Sequence, residues 1–88
     1  MIQKKIQVSN KLGLHARPSA LMVRAATKFR SEFFIEKDGM RVNGKSIMGV
    51  MMLAAESGST LNLIADGVDE SYLIEEVSAL ITSGFGED

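Results

Sequence analysis

The stretch Phe33-Phe34-Ile35-Glu36-Lys37-Asp38-Gly39-Met40-Arg41-Val42 decides the fold. Two short runs, Phe33 to Lys37 and Met40 to Val42, meet at Asp38-Gly39, a dipeptide suited to a type I′ turn because both of its central positions take positive φ. The pattern predicts two strands joined as a hairpin. Upstream, Pro18, Leu21, Met22, Ala25, Ala26 and Phe29 recur at the one-face spacing of an amphipathic helix. Pro18 fits the first turn, where its missing N–H costs nothing, so the helix is expected to start close to His15 or Ala16. Before it, Ile2, Ile6 and Val8 share one parity and Gln3, Lys5 and Gln7 the other, as in a strand with one wet face. Downstream, Asn43-Gly44 is a second turn, and Ser46 caps a short helix from Ile47 to about Ala54, with Gly58 closing that segment. Leu61, Leu63 and Ala65 then alternate with Asn62 and Ile64 as a further strand. Asp69 is expected to cap a last helix, with Glu70 favourable in its first turn. Leu73, Ile74, Val77, Leu80 and Ile81 form that helix's buried stripe, and Gly84 its C-terminal stop. The order β-α-β-β-α-β-α, with half-wet strands, predicts an α+β open-faced β-sandwich: a four-stranded antiparallel sheet with three helices on one face.

The chain has 88 residues, 45% hydrophobic and 24% charged, with a net charge of -1. That is one small domain, taken as residues 1–88, with room for about one layer of sheet and one of helices. The charge balance offers no general attraction to nucleic acid or to an anionic membrane. There is no cysteine and only one histidine. Thiolate chemistry, disulfides and multi-histidine metal sites are therefore excluded, and no metal or other cofactor is expected. No apolar run reaches the roughly 18 residues of a membrane span. MIQKKIQVSN lacks the apolar core of a secretory signal, which points to the cytoplasm.

Chemistry concentrates between Gly13 and Ser19, in Gly-Leu-His-Ala-Arg-Pro-Ser. His15 stands where a helix begins. The first helical amides, Ala16 and Arg17, have no partner within the helix, and with the helix dipole they form a cradle for an anion. Arg17 adds a guanidinium suited to phosphate oxygens. Gly13 lets the chain approach closely. No carboxylate or hydroxyl partner for His15 is evident in the sequence nearby, and Ser19 is at most accessory. A histidine beside an anion cradle can accept a phosphoryl group and pass it on. The bland alternative is an exposed histidine at a helix start.

A second pattern competes. Gly39 to Ser46 satisfies G-x-x-x-x-G-K-[ST], the phosphate-binding loop of nucleotide-binding proteins, and Leu61 to Asp66 resembles an apolar strand ending in an acidic partner. Three features oppose a nucleotide-binding module. Met40 to Val42 reads as a strand, Asp38-Gly39 as a tight hairpin turn, and the chain is too short for the usual parallel sheet. A structural adaptor is a third possibility.

The Gly13 to Ser19 motif, followed by Asn43-Gly-Lys-Ser-Ile-Met-Gly-Val-Met51, closely resembles HPr, the histidine-containing phosphocarrier family of the phosphoenolpyruvate-dependent phosphotransferase system, over essentially the whole chain. The resemblance implies that His15 is phosphorylated at Nδ1 by phosphorylated enzyme I and hands the group to a IIA component. Arg17 would neutralise the phosphoryl charge and the Ala16 and Arg17 amides would hydrogen-bond it. The protein would be a carrier and not a free-standing enzyme. In one regulatory branch the serine matching Ser46 is phosphorylated by an HPr kinase/phosphorylase. The Ser46 to Met51 run looks like that branch. The Asn10 to His15 run and the Ser83-Gly-Phe-Gly-Glu-Asp88 tail look like the nitrogen-related branch. Sugar-type members often carry Asn where this chain has Leu12. A partner surface is expected from Ala20, Val23, Arg24, Ile47, Met48 and Met51, ringed by Arg17, Arg24, Lys28 and Lys45. A surface relay of this kind predicts a monomer.

Overall fold

The computed structural model describes residues 1–87; Asp88 lies outside the described residues. The chain runs through β1 (Ile2–Gln7), α1 (Ala16–Thr27), β2 (Glu32–Lys37), β3 (Met40–Asn43), α2 (Ile47–Met52), β4 (Thr60–Asp66) and α3 (Glu70–Thr82), and closes with one short turn at Gly84–Gly86. The strands form one sheet in the order β1-β4-β2-β3. Every pairing is antiparallel. This is the predicted open-faced β-sandwich, with the three helices on one face.

Register explains the two faces. Ile2, Ala65 and Phe33 lie across from one another, as do Lys4, Leu63, Ile35 and Val42. Side chains alternate along each strand, so these rows face the helices, and Phe33, Ile35, Leu61, Leu63 and Ala65 are buried there. Each large apolar side chain so buried stabilises the fold by about 1.5–3 kcal/mol. The opposite face carries Lys5, Asn62, Glu36 and Arg41 in one row. Arg41 pairs with Glu36 and lies over the Phe34 ring. Ile64 is on this outer face yet buried, with Gln3 and Phe34 as its cross-strand neighbours. The hairpin turn is as predicted: Asp38 and Gly39 take φ of 50° and 83°.

The helices depart from their predicted faces in informative ways. In α1 the buried residues are Pro18, Ser19, Met22, Val23, Ala25 and Ala26, while Leu21 and Phe29 are only partly covered. The helix packs against both α2 and α3, so its covered arc is wider than one stripe. Val23 is therefore core and not surface. The short helix stops at Met52, before Ala54, because Ala54 itself takes a left-handed φ of 49°. Asp69 occupies the N-cap position of α3 without capping it. Its carboxylate accepts hydrogen bonds from the Arg30 and Ser31 amides and the Ser31 hydroxyl instead. Leu80 is only partly buried, and Ser78 takes its place in the covered stripe of α3. Gly84, at φ 69°, ends α3 as expected.

Candidate functional site

His15 is the N-cap residue of α1 by position, with extended backbone angles, and its side chain makes no capping bond. The imidazole is thus released from helix duty. Among the described residues, no hydrogen bond engages the amides of Ala16 and Arg17, and Pro18 has no N–H to offer. The loop before them is tightly held. The Leu14 amide donates to the Ala55 carbonyl at 2.9 Å, and the His15 amide donates to the Gly13 carbonyl at 3.0 Å. Asn10 Nδ2 donates to the Gly13 carbonyl at 2.8 Å, and the Ser19 hydroxyl to the Leu14 carbonyl at 3.2 Å. Gly13 sits at φ +72°, and a Cβ there would lie 2.4 Å from the Ala55 oxygen. Only glycine gives the loop both this conformation and this approach.

The expectation that His15 lacks a carboxylate nearby is overturned. Glu87 returns from the C-terminus, and its Oε2 lies 3.1 Å from His15 Nε2. The same carboxylate accepts from Asn10 Nδ2 at 3.0 Å and from an Arg17 guanidinium nitrogen at 3.4 Å. That guanidinium nitrogen also donates to the Phe85 carbonyl. The hydrogen bond from Asn10 is the main influence holding the Glu87 carboxyl below its ordinary range; desolvation opposes it, and His15 and Arg17 add to the lowering. The His15 side chain keeps 39% of its exposure and that of Glu87 19%. His15 Nδ1 makes no hydrogen bond among the described residues. Ser19 is buried and serves the loop.

Sequence reasoning missed Asn10, Phe85 and Glu87. Asn10 and Phe85 are almost completely buried, at 2% exposure each. The only local signal was the glycine on either side of Phe85, which hints at a tight reversal; a contact spanning 72 residues leaves no periodicity to read.

Ser46 is where the sequence put it. It is the N-cap of α2, its Oγ accepting from the Gly49 amide at 3.1 Å. Of the expected partner surface, Ile47, Met48 and Met51 are exposed, Met48 at 76%, and Met52 and Leu12 are exposed too. Arg24 is exposed and Ala20 half-buried. The basic ring is weaker than predicted. Lys28 pairs with Glu76, Arg17 with Glu87, and Lys45 donates to the Phe29 carbonyl at 2.7 Å. Arg24 alone of the four has no partner among the described residues.

Lys45 also bears on the nucleotide-binding alternative. Its ammonium is committed to the Phe29 carbonyl, just beyond α1. Gly39 lies in a hairpin turn and Met40–Asn43 is a strand, so no loop remains to wrap a phosphate chain. That alternative is not favoured. Among the described residues no cluster of acidic, histidine or cysteine side chains is placed to hold a metal, and no helix is long and apolar enough to cross a membrane.

Residues 2–83 match the family model described as the PTS HPr component phosphorylation site. The HPr-like protein Crh of Halalkalibacterium halodurans is 54% identical, covering 92% of this chain and 96% of its own. The phosphocarrier protein HPr of Neisseria meningitidis serogroup A is 47% identical, covering 99% and 98%. The solved HPr-C-His of Thermoanaerobacter tengcongensis superposes with a TM-score of 0.97 at 48% identity, covering 100% and 99%. A second structure from that organism, covering 99% and 100% at 48% identity with a TM-score of 0.80, is an HPr dimer, so the monomer inferred from sequence does not hold throughout the relatives. With the fold, the released histidine and these relatives in agreement, the chain belongs to the HPr family of phosphocarrier proteins of the phosphotransferase system.

Proposed function

We propose that this protein, as one domain of residues 1–88, accepts a phosphoryl group on His15 Nδ1 from phosphorylated enzyme I and passes it to a IIA component. HPr phosphocarrier proteins are carriers rather than catalysts. The observation that carries the reading is that, among the described residues, Nδ1 is unengaged at the start of α1, beside two unpartnered amides and Arg17. A phosphoryl group on Nδ1 meets the Ala16 and Arg17 amides and the positive end of the helix. Among the described residues Arg17 is held only by long contacts, at an exposed position, which favours its turning to the phosphoryl oxygens. The reaction calls for no resident cofactor and no metal, nucleic acid or membrane, and it belongs in the cytoplasm.

The partner surface consists of Ala20, Arg24, Ile47, Met48 and Met51, with Val23 supporting it from beneath. Exposed methionines suit a face that must fit several proteins. Ser46 is the regulatory site in this reading, modified by an HPr kinase/phosphorylase. The likeness to Crh and the Ser46 to Met51 run favour the kinase-regulated branch over the nitrogen-related one. A phosphate there adds roughly two negative charges beside the docking face and alters partner encounter. Self-association is open to the chain, as the dimeric HPr structure illustrates.

The test is intact mass after incubation with phosphoenolpyruvate, Mg²⁺ and enzyme I. One acid-labile phosphate, absent in His15→Ala, is the expected result. No gain with a competent cognate enzyme I overturns the proposal and returns attention to an adaptor role.

A further inference from the structure

The C-terminus of this chain is built in an expensive conformation. Gly84, Phe85 and Gly86 all take positive φ, at 69°, 59° and 72°. For Phe85 a left-handed backbone costs about 1–2 kcal/mol. Its side chain is 2% exposed, and burying a phenylalanine returns about 1.5–3 kcal/mol. The strained turn is thus anchored by a core residue, and the Glu87 amide closes it on the Gly84 carbonyl at 3.0 Å. What the turn delivers is the Glu87 carboxylate, placed against His15 Nε2 and steadied from behind by Asn10. Asn10 is 2% exposed and its Nδ2 joins Glu87 to the Gly13 carbonyl, so one amide ties the carboxylate to the loop that carries the histidine.

We propose that Glu87 is a positioning residue for His15, accepting the Nε2 proton's hydrogen bond and so holding the neutral ring with its Nδ1 lone pair free. The inference rests on the phosphohistidine reading. A carboxylate is an acceptor only, so its partner nitrogen carries the proton and the other nitrogen is left as the nucleophile. In the transfer, the Nδ1 lone pair forms a new N–P bond. The bond between phosphorus and the donor's atom breaks, and its electron pair stays with the donor. The proton remains on Nε2, so the phosphorylated ring becomes cationic. The Glu87 carboxylate faces that new charge and stabilises it, as carboxylates behind functional histidines do.

Two variants separate the parts of this role. Glu87→Gln keeps an acceptor oxygen and removes the charge; Glu87→Ala removes both. Nitrogen-15 NMR of the free protein reads the tautomer of His15 directly, with no partner present. The neutral ring of the parent and of Glu87→Gln is expected to carry its proton on Nε2, while Glu87→Ala shifts population to the Nδ1–H form. Phosphorylation by phosphorylated enzyme I is expected to slow about tenfold or more in Glu87→Ala and to slow in Glu87→Gln as well, where the charge alone is lost. Parent-like tautomer populations in Glu87→Ala overturn the inference, as do parent-like transfer rates in both variants. Either result leaves phosphorylation of His15 standing, because the mass measurement tests that separately.

Discussion

Replacing Gly13 by alanine tests whether the His15 loop needs its close approach to the Ala55 backbone. The new Cβ would lie 2.4 Å from the Ala55 oxygen and 3.0 Å from Glu56 Cα. Both neighbours are backbone and cannot rotate away. Alanine at φ +72° adds left-handed strain of about 1–2 kcal/mol. Pushing Ala55 aside weakens the 2.9 Å bond from the Leu14 amide, which is worth about 1 kcal/mol. Reduced freedom of the unfolded chain returns about 0.4–1 kcal/mol. The net expectation is a loss of about 2 kcal/mol, or roughly 8–16 °C in Tm for a domain of this size. Gly58→Ala is the control: its φ is +90°, but nothing lies within 4 Å of the added carbon. That variant bears the backbone strain without the clash and is expected to lose about 1 kcal/mol. Urea unfolding of both variants, at unchanged denaturant slope, gives the comparison. If Gly13→Ala proves no more destabilising than Gly58→Ala, the close approach is not what holds the loop, and the reasoning fails.

Three further outcomes are expected. Ser46→Ala removes the acceptor for the Gly49 amide and costs about 1 kcal/mol, whereas Ser46→Asp retains a capping oxygen and stays near the parent in thermal unfolding. Met22→Ala, at a position with no exposure, costs about 2–5 kcal/mol, while Met48→Ala, at 76% exposure, changes stability by less than about 0.5 kcal/mol; equal losses in the two would contradict the division between core and exposed face. The Asp69 carboxyl is lowered from 3.8 to about 2, chiefly by the Ser31 hydroxyl and then by the Arg30 amide. A folded pKa below the unfolded one means that its contribution is complete above pH 3.8 and disappears as the pH falls through about 2. Asp69→Asn should therefore flatten the acid limb of stability across that window, and an unchanged limb would show that the contacts to Arg30 and Ser31 are not what stabilise the charged form.

Much of the architecture was written locally. Asp38-Gly39 specified its own turn, because few residues other than glycine, asparagine and aspartate accept paired positive φ. Pro18 and the spacing behind it placed the start of α1, and with it the histidine, at a helix end whose amides are unpaired. The unpaired amides at that end follow from backbone geometry, so Gly13, His15 and Arg17 stand out before any fold is known.

Tertiary structure decided the rest. Val23 lies off the single apolar stripe of α1, and it is core because α1 packs on α2 and α3 together. The end of α2 at Met52, set by the left-handed turn at Ala54, carried no glycine to announce it. Asp69 has a capping residue's identity, but Arg30 and Ser31, brought near by the fold, offered its carboxylate better donors. The pairing of Glu87 with His15 lay furthest from the sequence's reach. Periodicity and turn chemistry act over a few residues, through sterics and the backbone hydrogen bonds of one element. A contact between a loop near one terminus and a carboxylate at the other exists only once Phe85 is buried and the closing turn is forced left-handed. The sequence by itself therefore determined where the single histidine would stand, and the packed fold decided which of its two nitrogens meets a carboxylate.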